Sequence, residues 1–545
     1  MKKNGINIWI DTMNRKTFIQ TIIGASAITA AASSCNKKKI IPGKIIGASA
    51  NIGHLLRSST SAVATEKLQT KIVIIGGGIS GLAAARQLLL DNISDFILLD
   101  LEKEVGGNAK SGSNEISAFP WGAHYVPIPN NNLTEYIDFL NECGVIKNMD
   151  DNKLPTYKEE YLCFDPEERL FINGRWQDGL VPHFGLPAND VAQIDQFLKK
   201  MNDYRYSIGT DGKDVFAIPV NESSKDIIYT ALDMMTMKEW MTKNNFTSDY
   251  LHNYVNYCTK DDFGTAHHKI SAWAGIHYFA ARKGKANNAN YSDVITWPEG
   301  NGFLVNKLKA LCLQQTKTNC LATKIITSNN KVIVDYFDVI TQKYFAVQAD
   351  ECIVATPQFV ASRLINNEQR TAAVKNNFSY SPWMVANIKV NGLKQKEGVA
   401  IAWDNVMYDS ASLGYIDATH QQLQLYKTKR NLTYYMPLCV ADAIAERKQA
   451  QEKTHADWVK LICADLERVH EDIEEQTEEI NVMVWGHAMI QPLPGFITGE
   501  VRRNIAQSIN ERIHFAHTDI AGISIFEEAF YQGINAAKKI TAQKI

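Results

Sequence analysis

The sequence predicts a mixed α/β fold in which a parallel-sheet domain alternates along the chain with a domain of mixed sheet and helices. Three observations predict it. The stretch "KIVIIGGGISGLAAARQLLL" (71–90) passes from an unbroken β-branched run, through glycines, into Leu at helical spacing. A second apolar run, "QADECIVATP" (348–357), lies almost 300 residues downstream, so strands of one sheet come from distant segments. Between and beyond them, "DVAQIDQFLKKMNDYRYSI" and "HADWVKLICADLERVHEDIEEQ" show i, i+3, i+4 apolar spacing, while "MVANIKVNG" and "NLTYYMPLCV" look like strands.

The elements follow in chain order. From Met13, "MNRKTFIQTIIGASAITAAASSC" carries a basic start, an apolar stretch and small residues before Cys35, the layout of an export signal. The apolar stretch is shorter than the ~20 residues of a membrane-spanning helix. "NRKTFIQ" is similar to a twin-arginine signal with Lys16 at the second arginine, and "ASSC" to a lipoprotein cleavage box. Residues 1–35 are therefore expected to be a targeting segment, with an exported, periplasmic or cell-envelope protein anchored to the membrane through a lipid on Cys35. Residues 36–69 are expected to be a tether.

Composition narrows the function classes. The 57 Lys+Arg against 59 Asp+Glu leave a net charge of −2, which offers no electrostatic footprint for nucleic acid. Nine cysteines are scattered without a CxxC pair, so buried thiols are expected instead of a disulfide framework. No metal site is expected: the adjacent His267 and His268 point apart, and no further ligands follow at useful spacing. A small-molecule substrate remains, with the oligomeric state open.

Gly76, Gly78 and Gly81 stand in G-x-G-x-x-G order at the strand-to-helix turn, with Ile79 and Ser80 opening the helix. The first glycine allows the tight turn, the second lets backbone approach a pyrophosphate, and the third lets the helix pack on the strand. The next strand-like run, "DFILLD", ends at Asp100, 19 residues beyond Gly81, where a carboxylate accepts from ribose hydroxyls and repels a 2′-phosphate. NAD and FAD fit these residues equally.

The segment "LEKEVGGNAKSGS" places Gly106 and Gly107 after the ribose acid, and here the chain resembles the flavin-containing amine oxidase and phytoene desaturase-like superfamily. Its Val-Gly-Gly-Arg turn touches FAD phosphates; the arginine is Asn108 in this chain. The resemblance recurs in "LATKIITSNNKVIVDYF", "QADECIVATP" and "IHFAHTDIAGISIFEEAFYQGINAAKKI". It implies a Rossmann-type FAD domain from residues 70–125, 265–360 and 480–545, and a substrate domain from 126–264 and 361–479. It further implies an adenine contact at Ala322 and a ribityl contact at Asp519, although the family's Gly-Glu before that acid is His517-Thr518 here. "ISAFPWGAHYVPIP" matches the segment beside the flavin ring, placing Trp121, Gly122, Ala123 and His124 there. "VWGHAMIQPLPG" makes Trp485 and His487 cavity residues, and His124 and His487 are the candidate catalytic side chains. With no Cys in the C-terminal block, the expected FAD is non-covalent.

The resemblance implies hydride transfer to flavin N5 from a partly apolar substrate, an amine in many relatives. Two positions depart from the monoamine oxidase pattern. Ser362 and Arg363 stand where relatives carry a lysine, and Ile525 stands at a tyrosine of the substrate cage. Desaturation of C–C bonds in an isoprenoid-like substrate therefore remains an alternative, as does a binding module without turnover.

Overall fold

Strands Ile72–Ile75, Phe96–Leu99, Thr316–Lys317, Glu351–Val354 and Ile513–Phe515 form one parallel sheet. Its spatial order is 316–317, 96–99, 72–75, 351–354, 513–515. The structure is a computed structural model that describes residues 39–57, 64–423 and 428–542, and the described residues from 42 onward form one compact unit. The expected targeting segment, including Cys35, lies outside the described residues. Every side chain of Ile72–Ile75 is at most 3% exposed, which accounts for the β-branched run; each such burial contributes about 1.5–3 kcal/mol.

Parallel neighbours need a crossover, and the helix Ile79–Leu90 supplies it between Ile72–Ile75 and Phe96–Leu99. The register pairs Ile75 with Leu99, so the chain leaves both strands at the same sheet edge, at Gly76 and Asp100. The helix is buried along Ser80–Leu88 because the C-terminal helix Phe526–Ala542 covers it. That contact depends on Gly533, where a Cβ would lie 2.1 Å from the Ser80 carbonyl oxygen.

A second sheet takes Cys320–Ser328, Lys331–Asp338 and Lys343–Ala349 as an antiparallel meander, joined in parallel by Glu66–Gln69. The segment expected to be a tether thus adds a strand here, and a second one, Ile45–Gly47, beside Thr477–Ile490. The backbone groups of both find partners in the sheets, which composition alone did not foreshadow.

The third sheet has eight strands and is mixed. At its centre Tyr380–Asn391 runs antiparallel to Lys429–Pro437 and to Thr477–Ile490. Period-2 alternation and register (Trp383 opposite Trp485, Val385 opposite Tyr435) put Trp383, Val385, Tyr435 and Trp485 on one face. Helices Ala188–Arg205, Asp249–Phe263 and Ala272–Ala280 pack on one another, and their buried residues join the core that contains Ile72, Ile74 and Leu82. The eight described cysteines are all free and buried, as the scattered spacing predicts. No described helix is long and apolar enough to cross a membrane.

Candidate active site

At the edge of the parallel sheet, Gly76 takes φ +104°, and a Cβ there would lie 2.6 Å from the Ala355 oxygen. Gly81 is tighter still, with a Cβ position 1.9 Å from the Gly76 oxygen. Gly78 differs: it has φ −73°, and nothing lies within 4 Å of its Cβ position. No side chain caps the helix that begins at Ile79, so the first-turn amides of Ile79 and Ser80 lack intrahelical partners. An open cradle at an uncapped helix N-terminus fits the pyrophosphate of a dinucleotide.

Asp100 closes the other side. Its Oδ2 accepts from the Gly77 amide at 2.6 Å and its Oδ1 from the Glu102 amide at 2.8 Å. Burial raises its pKa against the pull of these two donors. Each carboxylate oxygen retains a second lone-pair direction for a ribose hydroxyl. The Cys320 amide bonds the Asp100 carbonyl at 2.8 Å, which brings Ala322, at a bulge of its strand, to the same edge. Gly106 (φ +131°) and Gly107 (φ +57°) bend the next turn back onto the loop, where the Gly106 amide bonds the Gly77 oxygen at 2.7 Å. The set Gly76–Gly81, Asp100, Gly106–Gly107 and Ala322 therefore fits the ADP half of FAD.

Asn108 does more than stand in for an arginine. Its Nδ2 donates to the Ala488 oxygen at 2.5 Å, and its carbonyl accepts from the Ala123 amide at 3.0 Å. Gly122 must be glycine because a Cβ would lie 2.2 Å from the Asn108 oxygen. Asp519 is 1% exposed, and its carboxylate is held from within the protein. Its Oδ2 accepts from the Gln358 amide and the Tyr380 hydroxyl, both at 2.7 Å, while its Oδ1 lies 2.9 Å from His517 Nδ1. The residue expected to meet the ribityl chain is thus the hub of a buried network, with His517, which stands in the place of the family glycine, as one of its partners.

Beyond this turn lies a cavity of about 900 Å³, its mouth included. Asn108, Gly122, Ala123 and His124 line it, as do the sheet-face residues Trp383, Val385, Tyr435 and Trp485. Two of these aromatics are pinned to the segment beside them: the Tyr435 hydroxyl donates to the Gly122 oxygen at 2.8 Å, and Trp485 Nε1 to the Trp121 oxygen at 2.7 Å. His124 packs on the Tyr435 ring with centroids 4.6 Å apart. Burial lowers its pKa to about 4, so its imidazole is neutral at pH 7.

His487 is not on the cavity wall. Met489 pairs with Ser381 and Trp485 with Trp383, so the strand carries two extra residues there, and this bulge breaks the alternation that would have kept Trp485 and His487 on one face. His487 instead stacks on Phe359 at 4.2 Å, and burial of the ring faces, with Arg447 and Arg57 nearby, lowers its pKa to about 4. Arg363 is exposed on the helix Gln358–Leu364, whereas Ile525 does line the cavity.

Sequence reasoning missed the charged part of the wall: Asp261, Asp262, Arg282 and Glu527. The two aspartates end the helix Asp249–Phe263, whose stop is Gly264 at φ +56°. Ser381 Oγ donates to the Gly264 oxygen at 2.7 Å, and this docks the helix end on the sheet. Arg282 Nη1 bonds Glu527 Oε1 at 2.7 Å. Burial, then Asp262 and Glu168, raise Asp261 to a pKa of about 7. Burial raises Asp262 to about 6, with Arg282 opposing and Glu527 adding to the rise. A signal was present: paired acids in the last turn of a helix oppose its dipole, which a sequence accepts only where something else requires them.

The chain matches the family model for flavin containing amine oxidoreductase over residues 79–541. A search of curated proteins found no match. Among solved structures, wild-type putrescine oxidase bound to putrescine superposes with a TM-score of 0.64 at 15% identity, covering 87% of this chain and 100% of that one. Cyclohexylamine oxidase from Brevibacterium oxydans IH-35A gives 0.61 at 13% identity, covering 87% and 99%. A CLA-producing fatty acid isomerase from P. acnes gives 0.59 at 15%, covering 86% and 97%. These likenesses concern the fold.

Proposed function

Because the chain belongs to the flavin containing amine oxidoreductase family and is an FAD-dependent oxidoreductase of amine oxidase type, we propose that it oxidises the C–N bond of a partly apolar amine. The cavity carries this reading: aromatic walls for the carbon skeleton and carboxylates for the nitrogen, beside a dinucleotide cradle. FAD, when bound, supplies a two-electron acceptor for a hydride from the carbon next to nitrogen. The chain's own residues do the rest. Gly78, Ile79 and Ser80 offer amides to the pyrophosphate, Asp100 takes the ribose, and Ala322 takes the adenine side. Tyr435 and Trp485, fixed to backbone oxygens, orient the substrate and keep water away from its reacting carbon. His124 is neutral and hydrogen-bonds without adding charge. The flavin is held non-covalently, a reading supported by the absence of cysteine from residues 464–545.

A second reading has one observation in its favour. Ile525 lies on the wall where a tyrosine would complete an amine cage, and an apolar surface there suits C–C chemistry. Purified protein mixed anaerobically with amines, and separately with isoprenoids and unsaturated fatty acids, decides between them. Bleaching of the flavin's visible absorbance by amines alone is the expected result. Bleaching by the lipids alone overturns it, and no bleaching by either favours a binding module.

Export and lipid attachment at Cys35 are part of the same proposal, supported by the pattern of residues 13–35. A Cys35→Ser protein expressed in its host is expected to move from the membrane to the soluble fraction. Retention in the membrane fraction overturns the anchor.

A further inference from the structure

Hydride transfer from an amine requires an uncharged nitrogen, yet an alkylamine reaches the protein as its ammonium ion. The cavity has more acceptors and negative charge than its own residues balance. Asp261, Asp262 and Glu527 line it against one cation, Arg282, whose Nη1 is already on Glu527. Glu527 is 1% exposed, and its Oε2 has no hydrogen-bond partner among the described residues. Asn301, also 1% exposed and on the wall, spends its Nδ2 on the Tyr125 oxygen at 3.0 Å and leaves Oδ1 without a partner. Among the fully buried side-chain atoms of the described wall, the Trp383 indole N–H is the one donor without a partner. Buried acceptors without donors are costly. An ammonium, with three N–H donors and a positive charge, matches the deficit.

We propose that this acidic wall is the subsite that receives the substrate's ammonium group, and that the Asp261–Asp262 pair accepts one proton from it to leave the free amine. The proposal rests on the amine reading above. In the step an N–H bond breaks and a carboxylate O–H bond forms. Nitrogen keeps the electron pair, the carboxylate loses its charge, and no electron is transferred. The groups that act on Asp261 are Asp262, Glu168, Tyr125 and Arg282; those that act on Asp262 are Arg282 and Glu527. Behind them, Tyr257 donates to Asp404 at 3.3 Å. Arg282 is the one cation in this set, so nothing holds the aspartates firmly ionised, and they take up a proton near neutral pH. Burial in the same cavity also makes the ammonium readier to release its proton.

The test uses flavin-loaded protein and tert-butylammonium chloride, a cation with no hydrogen on the carbon beside nitrogen and therefore no route to oxidation. Calorimetry is expected to show binding that strengthens at least fivefold from pH 5 to pH 8 as the wall ionises. Asp261→Asn/Asp262→Asn is expected to weaken it at least tenfold at pH 8 while leaving the binding of neutral tert-butanol unchanged. Affinity that stays flat between pH 5 and pH 8 in the wild type overturns the proposal without recourse to a variant. So does a folded double variant that binds as tightly as wild type. The two readings fail differently: if tert-butylammonium binds with this pH dependence but no amine bleaches the flavin, the amine oxidation reading falls and the ammonium subsite stands. If amines bleach wild type and the double variant at equal rates, the subsite falls and amine oxidation stands.

Discussion

Gly81→Ala is expected to yield a protein that neither retains FAD nor melts cooperatively at the wild-type temperature, whereas Gly78→Ala folds normally and loses only the flavin. The two glycines sit three residues apart in the same loop and differ in what surrounds them. A Cβ on Gly81 would lie 1.9 Å from the Gly76 oxygen, a backbone atom that moves only if the Ile72–Ile75 strand end or the helix shifts. Overpacking against rigid backbone costs about 3 kcal/mol or more. A Cβ on Gly78 meets nothing within 4 Å at an ordinary φ of −73°, so without cofactor the alanine variant gains a few tenths of a kcal/mol from a less flexible unfolded chain. Its methyl group, however, occupies the cradle in front of the first-turn amides. Calorimetric melting of the apoproteins and flavin absorbance after purification check both halves. At least tenfold weaker FAD binding by Gly78→Ala with a melting temperature within ~1 °C of wild type is the expected pattern. Full flavin occupancy in that variant would remove the pyrophosphate from this loop.

Asp261→Asn/Asp262→Asn is expected to make the protein more stable at alkaline pH, by about 2–4 °C in Tm at pH 8, with no gain at pH 4. The sign follows from linkage. Both carboxyls have folded-state pKa values, about 7 and 6, above the ordinary 3.8. Between pH 4 and 7 the folded state therefore binds more protons than the unfolded state, and stability falls as pH rises through that window. Below it both forms are protonated and the aspartates are neutral, as asparagines are. The full shift of Asp261 corresponds to ~4 kcal/mol, but cavity water screens a half-buried charge, and about 1–2 kcal/mol is the expected gain, at roughly 2 °C per kcal/mol for a chain of this size. Thermal melts at pH 4 and pH 8 check it. A variant less stable than wild type at pH 8 would mean that the two acids hold the fold together, and that their position on the cavity wall serves packing.

A gain in stability bound to a loss of ammonium affinity is the usual cost of a functional site. It also explains why the acids escaped sequence reasoning. The pattern of Asp249–Phe263, with Leu251, Val255, Cys258 and Phe263 buried, reads as an amphipathic helix, and its polar residues read as a solvated face. Only the αL stop at Gly264 and its hydrogen bond to Ser381 turn that helix end onto the sheet.

His124 and His487 illustrate the same boundary. Both follow a glycine or its neighbour in segments that resemble flavin-side segments, and both have pKa values lowered to about 4. Sequence resemblance gave them equal standing. The bulge in Thr477–Ile490 separates them, leaving His124 on the wall and His487 against Phe359. Asp519 matches the spacing of an acid expected at the cofactor, yet its partners Gln358 and Tyr380 come from 161 and 139 residues away and engage its carboxylate inside the protein.

What the sequence determined by itself is local and periodic: the buried β-branched strand, the glycine turn and the acid at the next strand end. These depend on steric rules between residues close in the chain, so spacing reveals them. What only the tertiary structure decided is which distant groups share a cavity and how many donors and acceptors meet there. Asp262, Arg282 and Glu527 come together because a left-handed helix cap and an ion pair join segments up to 265 residues apart. Burial and the balance of charge are properties of that assembly, and no stretch of sequence carries them alone.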